Sequence, residues 1–340
     1  MSAQPTATTT PAARSWQRVL ADALLAPTPA ALRRWALGGV ITSALIILSG
    51  AAVRLSQSGL GCPDWPKCTA GSLAATGATG DPLIHRWVEF GNRLVTIAIF
   101  VIAVGVFIAA WQFRGTAGRR RRDLIWLAAA QPGAIVAQAV LGGIVVITKL
   151  NPTLVSLHFV ASVALVAATV ALYVRCQEST EPPRPFVPRP VQLVAFGVVG
   201  TVALMMTAGT VVTGTGPLAG APDVARYHLP LEGITQLHAD IGWLLAGLMV
   251  ALLLGLRVTA APAKAVRLGW LLLALIGLQG VIGYAQYFGG LPAGLVWLHV
   301  TGSTAIWITA LLLPYSLRER GTIVEQRAPA EAPADRIPSG

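Results

Sequence analysis

The chain has 340 residues, of which 54% are hydrophobic and only 11% are charged. A soluble domain carries about 25% charged residues, so the composition excludes an ordinary soluble protein and indicates an integral membrane protein. The formal net charge of +11 is compatible with nucleic-acid binding, but the basic residues cluster in short segments between long apolar runs. That arrangement encodes membrane topology, and we expect a lipid bilayer and no nucleic acid as the surroundings of the chain.

Eight apolar runs are long enough to cross a bilayer as helices. These predicted spans are 36–53, 93–113, 124–147, 154–174, 191–213, 236–256, 268–288 and 295–315. The sequence therefore predicts an all-α integral membrane protein with eight transmembrane helices.

The basic residues concentrate on one side of these spans. They precede the first span, follow the second, fourth and eighth spans, and separate the sixth span from the seventh. In chain order they are Arg14, Arg18, Arg33, Arg34, Arg114, Arg119, Arg120, Arg121, Arg122, Arg175, Arg184, Arg189, Arg257, Lys264, Arg267, Arg318 and Arg320. The positive-inside rule then places both termini in the cytoplasm. Residues 1–34 and 318–340 include segments rich in Pro, Ala and Thr, and we predict both to be disordered cytoplasmic segments.

Two stretches of sequence repeat between the halves of the chain. SGAAVRLSQSGLGCPD (49–64) and AGTVVTGTGPLAGAPD (208–223) share Gly and Pro-Asp at the same spacing. Gln138 precedes His158 by the same interval that separates Gln279 from His299. Because each half has four spans, both halves begin on the same side of the membrane, which predicts a parallel repeat about an axis along the membrane normal.

The repeat defines the predicted domains. We expect one four-helix bundle over 35–176, a cytoplasmic linker over 177–190, and a second four-helix bundle over 191–317.

Three histidines lie near the starts of even-numbered spans, in the outer third of the membrane: His158, His238 and His299. One such histidine could simply reach the interface or bond to a neighbouring helix, but three at equivalent depths favour a functional site. His238 and His299 share the second half and could each give one imidazole to an iron. Two imidazoles without a thiolate suit haem better than zinc, and no CxxCH motif for covalent attachment occurs.

The first half differs from the second at the position that matches His238, which is Asn92, a poor iron ligand. His85 lies on a similar helical face, about 10 Å nearer the surface. We therefore predict a closed bis-histidine site in the second half and an open site with His158 in the first. Glu89 lies beside the open site, either as the ion-pair partner of Arg86 or Arg93 or as a proton acceptor or oxyanion-stabilising group for a substrate.

Cys62 and Cys68 flank a Pro-rich turn in the first outer loop. Their spacing makes a small disulfide ring feasible, on the side of the membrane where it would persist. The pair is interpreted either as a structural cross-link or as a redox-active pair. Cys176 is expected to be a free thiol.

Together these motifs resemble the haem A synthase family. The stretches that carry the resemblance are GAAVRLSQSGLGCPDWPKC (50–68), VEFGNR (88–93), LVSLHF (154–159), TQLHADIGW (235–243) and VWLHVTGS (296–303), spread over 35–317. The sequence departs from the family at Asn92, where many members have His in a Glu-x-x-His-Arg motif. The second-half cysteine pair of some members is also absent.

The resemblance implies an oxidoreductase that converts haem O into haem A, by oxidising a ring methyl to a formyl group for cytochrome oxidase. It implies that His238 and His299 ligate a haem b cofactor, that His158 faces the substrate haem, and that Glu89 is the essential acid. Asn92, Arg93 and His85 are also assigned to the substrate haem, and His85 replaces the ligand missing at Asn92 if the second span begins irregularly.

The same resemblance implies a bacterial-type plasma membrane, haem O delivered by haem O synthase, an unidentified electron donor, and a homo-oligomer as one option. Two other functions stay open on the residues alone. One is a quinol-linked di-haem b electron-transfer protein, which predicts two closed axial pairs. The other is a transporter, for which broken helices and charges at the midplane would be expected.

Overall fold

A computed structural model describes residues 15–69, 71–76, 82–115 and 118–321. The elements in chain order are helices α1 (Trp16–Leu25), α2 (Pro29–Leu55), α3 (Leu83–Gln112), α4 (Arg122–Ile147) and α5 (Pro152–Arg175), strand β1 (Arg184–Pro185), helices α6 (Arg189–Thr215), α7 (Leu231–Val258), α8 (Ala263–Phe288) and α9 (Ala293–Ser316), and strand β2 (Arg318–Glu319). Helices α2 to α9 are each long and apolar enough to cross a membrane. The predicted all-α protein with eight spans is confirmed.

Two helix starts follow directly from local sequence. Thr28 caps α2 by accepting a hydrogen bond from the Ala31 N–H, and Asn151 caps α5 by accepting from the Thr153 N–H. A proline follows each cap, at a position where its missing N–H has no helical partner to lose. The Thr-Pro and Asn-Pro dipeptides therefore fix where these two helices begin.

The prediction of a disordered N-terminal segment is wrong for Trp16–Leu25, which forms α1. This helix is amphipathic, packs against α3, and is tied to α2 by a 3.1 Å hydrogen bond from the Trp35 indole to the Ala23 carbonyl. Trp16 and Leu25 stay exposed, as expected for a helix that lies in a membrane interface. Composition missed this helix because Pro and Thr dominate the flanking residues. The prediction is also wrong for 29–34, which lie in α2, and for Arg318–Glu319, which form β2. Residues 1–14 and 322–340 lie outside the described residues.

Helix α3 begins at Leu83, about three turns before the predicted start at 93. Arg86, Glu89 and Arg93 lower the hydropathy of this stretch, so an apolar window does not include it. Arg86 and Glu89 are nevertheless buried. The early start places the charged residues on a regular helix beneath the first outer loop.

The helices of each half are neighbours in a closed ring. In the first half α2 contacts α3, α3 contacts α4, α4 contacts α5, and α5 returns to α2; helices α6 to α9 follow the same pattern. The halves meet where α9 packs on α2 and α5, and where α5 packs on α6. A hydrogen bond of 2.9 Å from the Trp307 indole to the Val163 carbonyl crosses this boundary. Packing and hydrogen bonds of this kind hold membrane helices together, because lipid offers no hydrophobic drive.

The outer loops of the two halves contact each other above the helices. The Gly59 N–H donates a 2.9 Å hydrogen bond to the Gly220 carbonyl, and the Leu150 side chain is buried against both glycines. Gly220 has φ +114°, a conformation that a side chain at this position would strain. The described parts of these loops therefore join the two halves at this end of the helices.

The opposite ends, predicted to be cytoplasmic, are joined by an ionic cluster. Asp123 accepts hydrogen bonds from Arg121 at 2.7 Å and Arg175 at 2.8 Å, and Glu178 pairs with Arg175 and Arg318. Strands β1 and β2 pair in antiparallel register beside this cluster. The predicted linker 177–190 is therefore fastened to the residues that follow α9.

Candidate haem sites

His238 on α7 and His299 on α9 face each other across the interior of the second ring, whose opposite corners these helices occupy. Their ring centroids lie 6.3 Å apart with an interplanar angle of 63°. A metal–nitrogen bond of about 2 Å on each side, added to the radius of each ring, would separate the centroids by roughly 6–6.5 Å. The two imidazoles therefore fit axial ligation of one iron between them.

A glycine of a neighbouring helix lies beside each of these rings. A Cβ atom at Gly209 of α6 would come within 3.3 Å of the His238 Cε1, and one at Gly283 of α8 within 3.4 Å of the His299 Cε1. The Nδ1 atoms of both histidines are buried without a hydrogen bond of ordinary geometry. Because Nδ1 is enclosed by protein, Nε2 is the atom that each ring would offer to iron.

His158 on α5 has the same surroundings in the first half. A Cβ atom at Gly142 of α4 would lie 3.3 Å from its Cε1. Gln138, also on α4, donates hydrogen bonds to the His158 carbonyl at 2.9 Å and to the Ser162 hydroxyl at 2.6 Å. The amide of Gln138 therefore fixes the stretch of α5 that carries His158.

Asn92 takes the place of a second histidine in this half. Its side-chain oxygen lies 2.8 Å from the hydroxyl of Ser49 on α2. A Cβ atom at Gly50, the counterpart of Gly209 in the repeat, would meet nothing within 4 Å. Within the described residues, His158 makes no hydrogen bond or ring contact with Asn92. In the described residues this half therefore has open space beside Gly50 and one imidazole rather than a facing pair.

His85 lies in the first turn of α3, where its Nδ1 is 2.9 Å from the hydroxyl of Ser58. The backbone of His85 also packs closely against Gly61. The helix around His85 is regular, so the side chain is directed to the first outer loop and is not brought into contact with His158 in the described part of the chain.

Glu89 and Arg93 hold the first outer loop from below. One Glu89 oxygen accepts a 2.7 Å hydrogen bond from the Cys62 N–H, and the other accepts one of 2.8 Å from Arg93. Arg93 also donates to the carbonyls of Cys62, Asp64 and Lys67 at 3.0–3.1 Å. Glu89 is only 5% exposed. Of the two predicted ion-pair partners, Arg93 is the one in contact at 2.8 Å.

Cys62 and Cys68 form a disulfide, and both sulfurs are fully buried. The loop between them places the Trp65 indole directly against Gly143 of α4, the residue after the glycine beside His158. The disulfide loop therefore covers the outer end of the first half, close to His158. Complete burial favours the structural interpretation of the pair over the redox-active one.

In the described part of the chain, no three His, Cys, Asp or Glu side chains lie close enough together to hold a metal ion. Among these residues His238 and His299 would supply two ligands to a metal, and a porphyrin would supply four ring nitrogens. The donor set thus agrees with haem and not with a tetrahedral zinc site.

Comparison with known proteins shows the family of the chain. A profile of the COX15-CtaA family, described as cytochrome oxidase assembly protein, matches residues 33–311. The chain belongs to this family. The resemblance that the motifs predicted is confirmed at the level of the family.

Three curated relatives, each named Heme A synthase, give the degree of similarity. The chain is 32% identical to the protein of Lysinibacillus sphaericus (strain C3-41) over 127 residues, 37% of this chain and 38% of that relative. It is 33% identical to that of Geobacillus thermodenitrificans over 118 residues, 34% and 33% of the two chains. It is 28% identical to the protein of Listeria welshimeri serovar 6b over 142 residues, which are 42% of this chain and 44% of that relative. The matched stretches thus span less than half the length of these relatives.

Several residues of this COX15-CtaA family member were not singled out from its sequence as parts of the site. Gly142, Gly209 and Gly283 lie beside the three histidines, Ser49 contacts Asn92, and Trp65 covers α4. The repeat contained a signal for the glycines, because Gly142 aligns with Gly283 and Gly50 with Gly209. Ser49 and Trp65 lie within the quoted stretches 49–64 and 50–68, but nothing there marked either side chain as part of the site.

Proposed function

We propose that this member of the COX15-CtaA family is a haem A synthase, which oxidises a ring methyl of haem O to a formyl group and so supplies haem A for cytochrome oxidase. The observation that carries the proposal is that the two halves offer different ligands to a haem. One half has a facing pair of imidazoles, and the other has a single histidine and an amide. A protein that only transfers electrons would be expected to close both sites.

We propose that His238 and His299 hold a resident haem b in the second half. The haem, when bound, supplies one-electron redox chemistry. The chain contributes two imidazoles at a fixed separation of 6.3 Å. Gly209 and Gly283 leave just enough space for the rings and limit their rotation.

In the first half, His158 is proposed to contact the haem O substrate from one side, with Gln138 fixing the helix that carries it. Asn92 lies at the position of the absent second ligand. A side-chain amide does not ligate haem iron well, so this side of the substrate stays open. The Ser49 contact at 2.8 Å holds the Asn92 side chain against α2.

We propose that Glu89 is needed for the reaction mainly because it positions the first outer loop. Both of its oxygens already accept hydrogen bonds, from Cys62 and from Arg93. Loss of the carboxylate would leave the Cys62 N–H without its acceptor and remove one of the bonds that fix the Arg93 guanidinium, and so would loosen the loop that places Trp65 over α4. His85 is proposed to support the same loop through Ser58, at the edge of the substrate site.

The surroundings follow from this assignment. We propose that the protein lies in a bacterial-type plasma membrane with both termini in the cytoplasm, because the basic residues collect on that side. Haem O would be delivered by haem O synthase, and the electrons by a donor that the chain does not identify. We include in this proposal that copies of the chain assemble into a homo-oligomer.

The deciding experiment is haem extraction and chromatography from cells that lack haem A and carry a haem O source together with this protein. We expect haem A or its hydroxylated precursor. The matched control is His158→Ala, which should leave the resident haem b spectrum in place and stop product formation. Unmodified haem b and haem O from folded, haem-loaded protein with reductant present would favour the electron-transfer function.

A further inference from the structure

A positively charged cavity of about 1080 Å³ opens at the inner ends of the helices, on the side opposite the histidines. It lies between the end of α3 and the start of α4, beside the residues that follow α5. Its charged lining consists of five arginines and one carboxylate: Arg114, Arg119, Arg120, Arg121, Arg122 and Asp123.

The single carboxylate does not compensate these arginines. Asp123 is already bonded to Arg121 and to Arg175, and the nearby Glu178 is taken by Arg175 and Arg318. Within the described residues, no ion pair is formed by the four remaining arginines of the cavity, which are exposed: Arg114, Arg119, Arg120 and Arg122. Four exposed arginines therefore line one cavity, and no carboxylate of the described residues pairs with them.

Two tryptophans place this cavity at a membrane boundary. Trp111 is 42% exposed at the end of α3, and Trp126 is 75% exposed in the first turns of α4. The Arg120 guanidinium lies over the Trp111 ring, 4.7 Å from its centroid. Exposed tryptophans mark the level of lipid headgroups, so the arginines lie where headgroup phosphates lie.

We propose that this cavity is a binding site for an anionic phospholipid of the inner leaflet, with the arginines on the headgroup phosphate and Trp126 beside the acyl chains. Arginine recognises phosphate oxygens through paired N–H donors. Basic pockets at the cytoplasmic ends of membrane helices are suited to anionic headgroups. A topology signal alone requires positive charge on this side of the membrane, but it does not require the charge to line one cavity.

Native mass spectrometry of the purified full chain tests the site, with titration of phosphatidylglycerol or phosphatidylcholine. We expect saturable retention of phosphatidylglycerol and not of phosphatidylcholine. Each basic residue near an anionic surface contributes about 1 kcal/mol, so Arg119→Gln with Arg122→Gln should weaken phosphatidylglycerol binding about tenfold or more. The control variant, Arg184→Gln with Arg189→Gln, removes the same charge from the same side of the membrane but outside the cavity. It should change phosphatidylglycerol binding by less than about twofold.

Three results would overturn the proposal. They are equal retention of the two lipids, equal loss in the two double variants, and displacement of phosphatidylglycerol by millimolar inorganic phosphate, which would make the occupant a free phosphate. Should the first double variant aggregate, Arg114→Gln with Arg120→Gln removes the other two arginines and should give the same loss. The site is independent of the haem chemistry, so either conclusion can fail without the other.

Discussion

The carboxylate of Glu89 accepts a 2.7 Å hydrogen bond from the backbone N–H of Cys62, and so joins helix α3 to the disulfide loop above the first half. The same side chain pairs with Arg93, whose guanidinium donates to four carbonyls of that loop, those of Cys62, Asp64, Pro66 and Lys67. Glu89 is thus a buried anchor for the loop. Any effect of its removal on the substrate site passes at least in part through this contact.

Glu89→Gln and Glu89→Ala should therefore differ in haem A formation. Glutamine keeps a carbonyl oxygen for the Cys62 N–H, whereas alanine leaves this buried donor unpaired, at a cost of about 1–3 kcal/mol. We expect Glu89→Ala to abolish product and Glu89→Gln to retain a measurable fraction, with the resident haem spectrum unchanged in both. The haem A to haem O ratio in extracts measures the effect.

Trypsin cleavage after Lys67 reports the state of the loop in the same variants. Cleavage should be fast in Glu89→Ala and slow in Glu89→Gln. If Glu89→Gln is as inactive as Glu89→Ala while its loop stays protected, the carboxylate acts on the substrate itself and the positioning role is wrong.

The sequence predicted the histidines and the spans because both have signals that do not depend on tertiary contacts. Apolar length reveals a membrane helix, and the repeat aligns His158 with His299. The partner of Glu89 was narrowed only to Arg86 or Arg93, because helical spacing allows both. The hydrogen bond between Glu89 and the Cys62 N–H joins residues 27 positions apart, and its donor is a backbone group. A pattern of side chains in the sequence therefore does not predict this contact.

Replacing either histidine of the facing pair should remove the resident haem signal. His238→Ala and His299→Ala each leave one imidazole where two are needed, so we expect loss of the low-spin bis-histidine absorption and electron paramagnetic resonance spectra. His85→Ala is the matched control, since His85 bonds to Ser58 in the loop. A full bis-histidine signal in both His238→Ala and His299→Ala would refute this ligand assignment.

The glycine beside His238 can be tested by adding one methyl group. Gly209→Ala would place a carbon 3.3 Å from the His238 Cε1, so the ring must shift by a few tenths of an ångström or bind iron less well. We expect a shifted or partly lost resident haem spectrum. Gly200→Ala, on the same helix α6 with nothing within 4 Å, should leave the spectrum unchanged. Equal spectra in the two variants would show that the ring is not confined there.

Thiol labelling should separate the three cysteines. Cys62 and Cys68 are joined, and Cys176 is buried just beyond α5, where burial raises the pKa of its thiol to about 12. Because the thiolate is the reactive form and its fraction falls as the pKa rises, the folded chain should label slowly at pH 7–8 and faster as the pH approaches 12. Cys62→Ser should add one denaturant-accessible thiol, Cys68, under non-reducing conditions. Without the disulfide, the denatured chain would label all three cysteines and the Cys62→Ser variant only two, so a fall in the count would contradict the disulfide.

The two repeated glutamines should affect different haems. Gln138→Leu removes the hydrogen bonds to the His158 carbonyl and the Ser162 hydroxyl, each contributing about 1 kcal/mol. We expect haem O to bind severalfold more weakly, measured by optical titration, while the resident haem spectrum stays constant. Gln279→Leu is the matched control: its amide packs against Gly302, one helical turn after His299, so it should perturb the resident haem and spare haem O binding. If both variants disturb the same haem, the glutamines serve the packing of the whole bundle and do not position one histidine each.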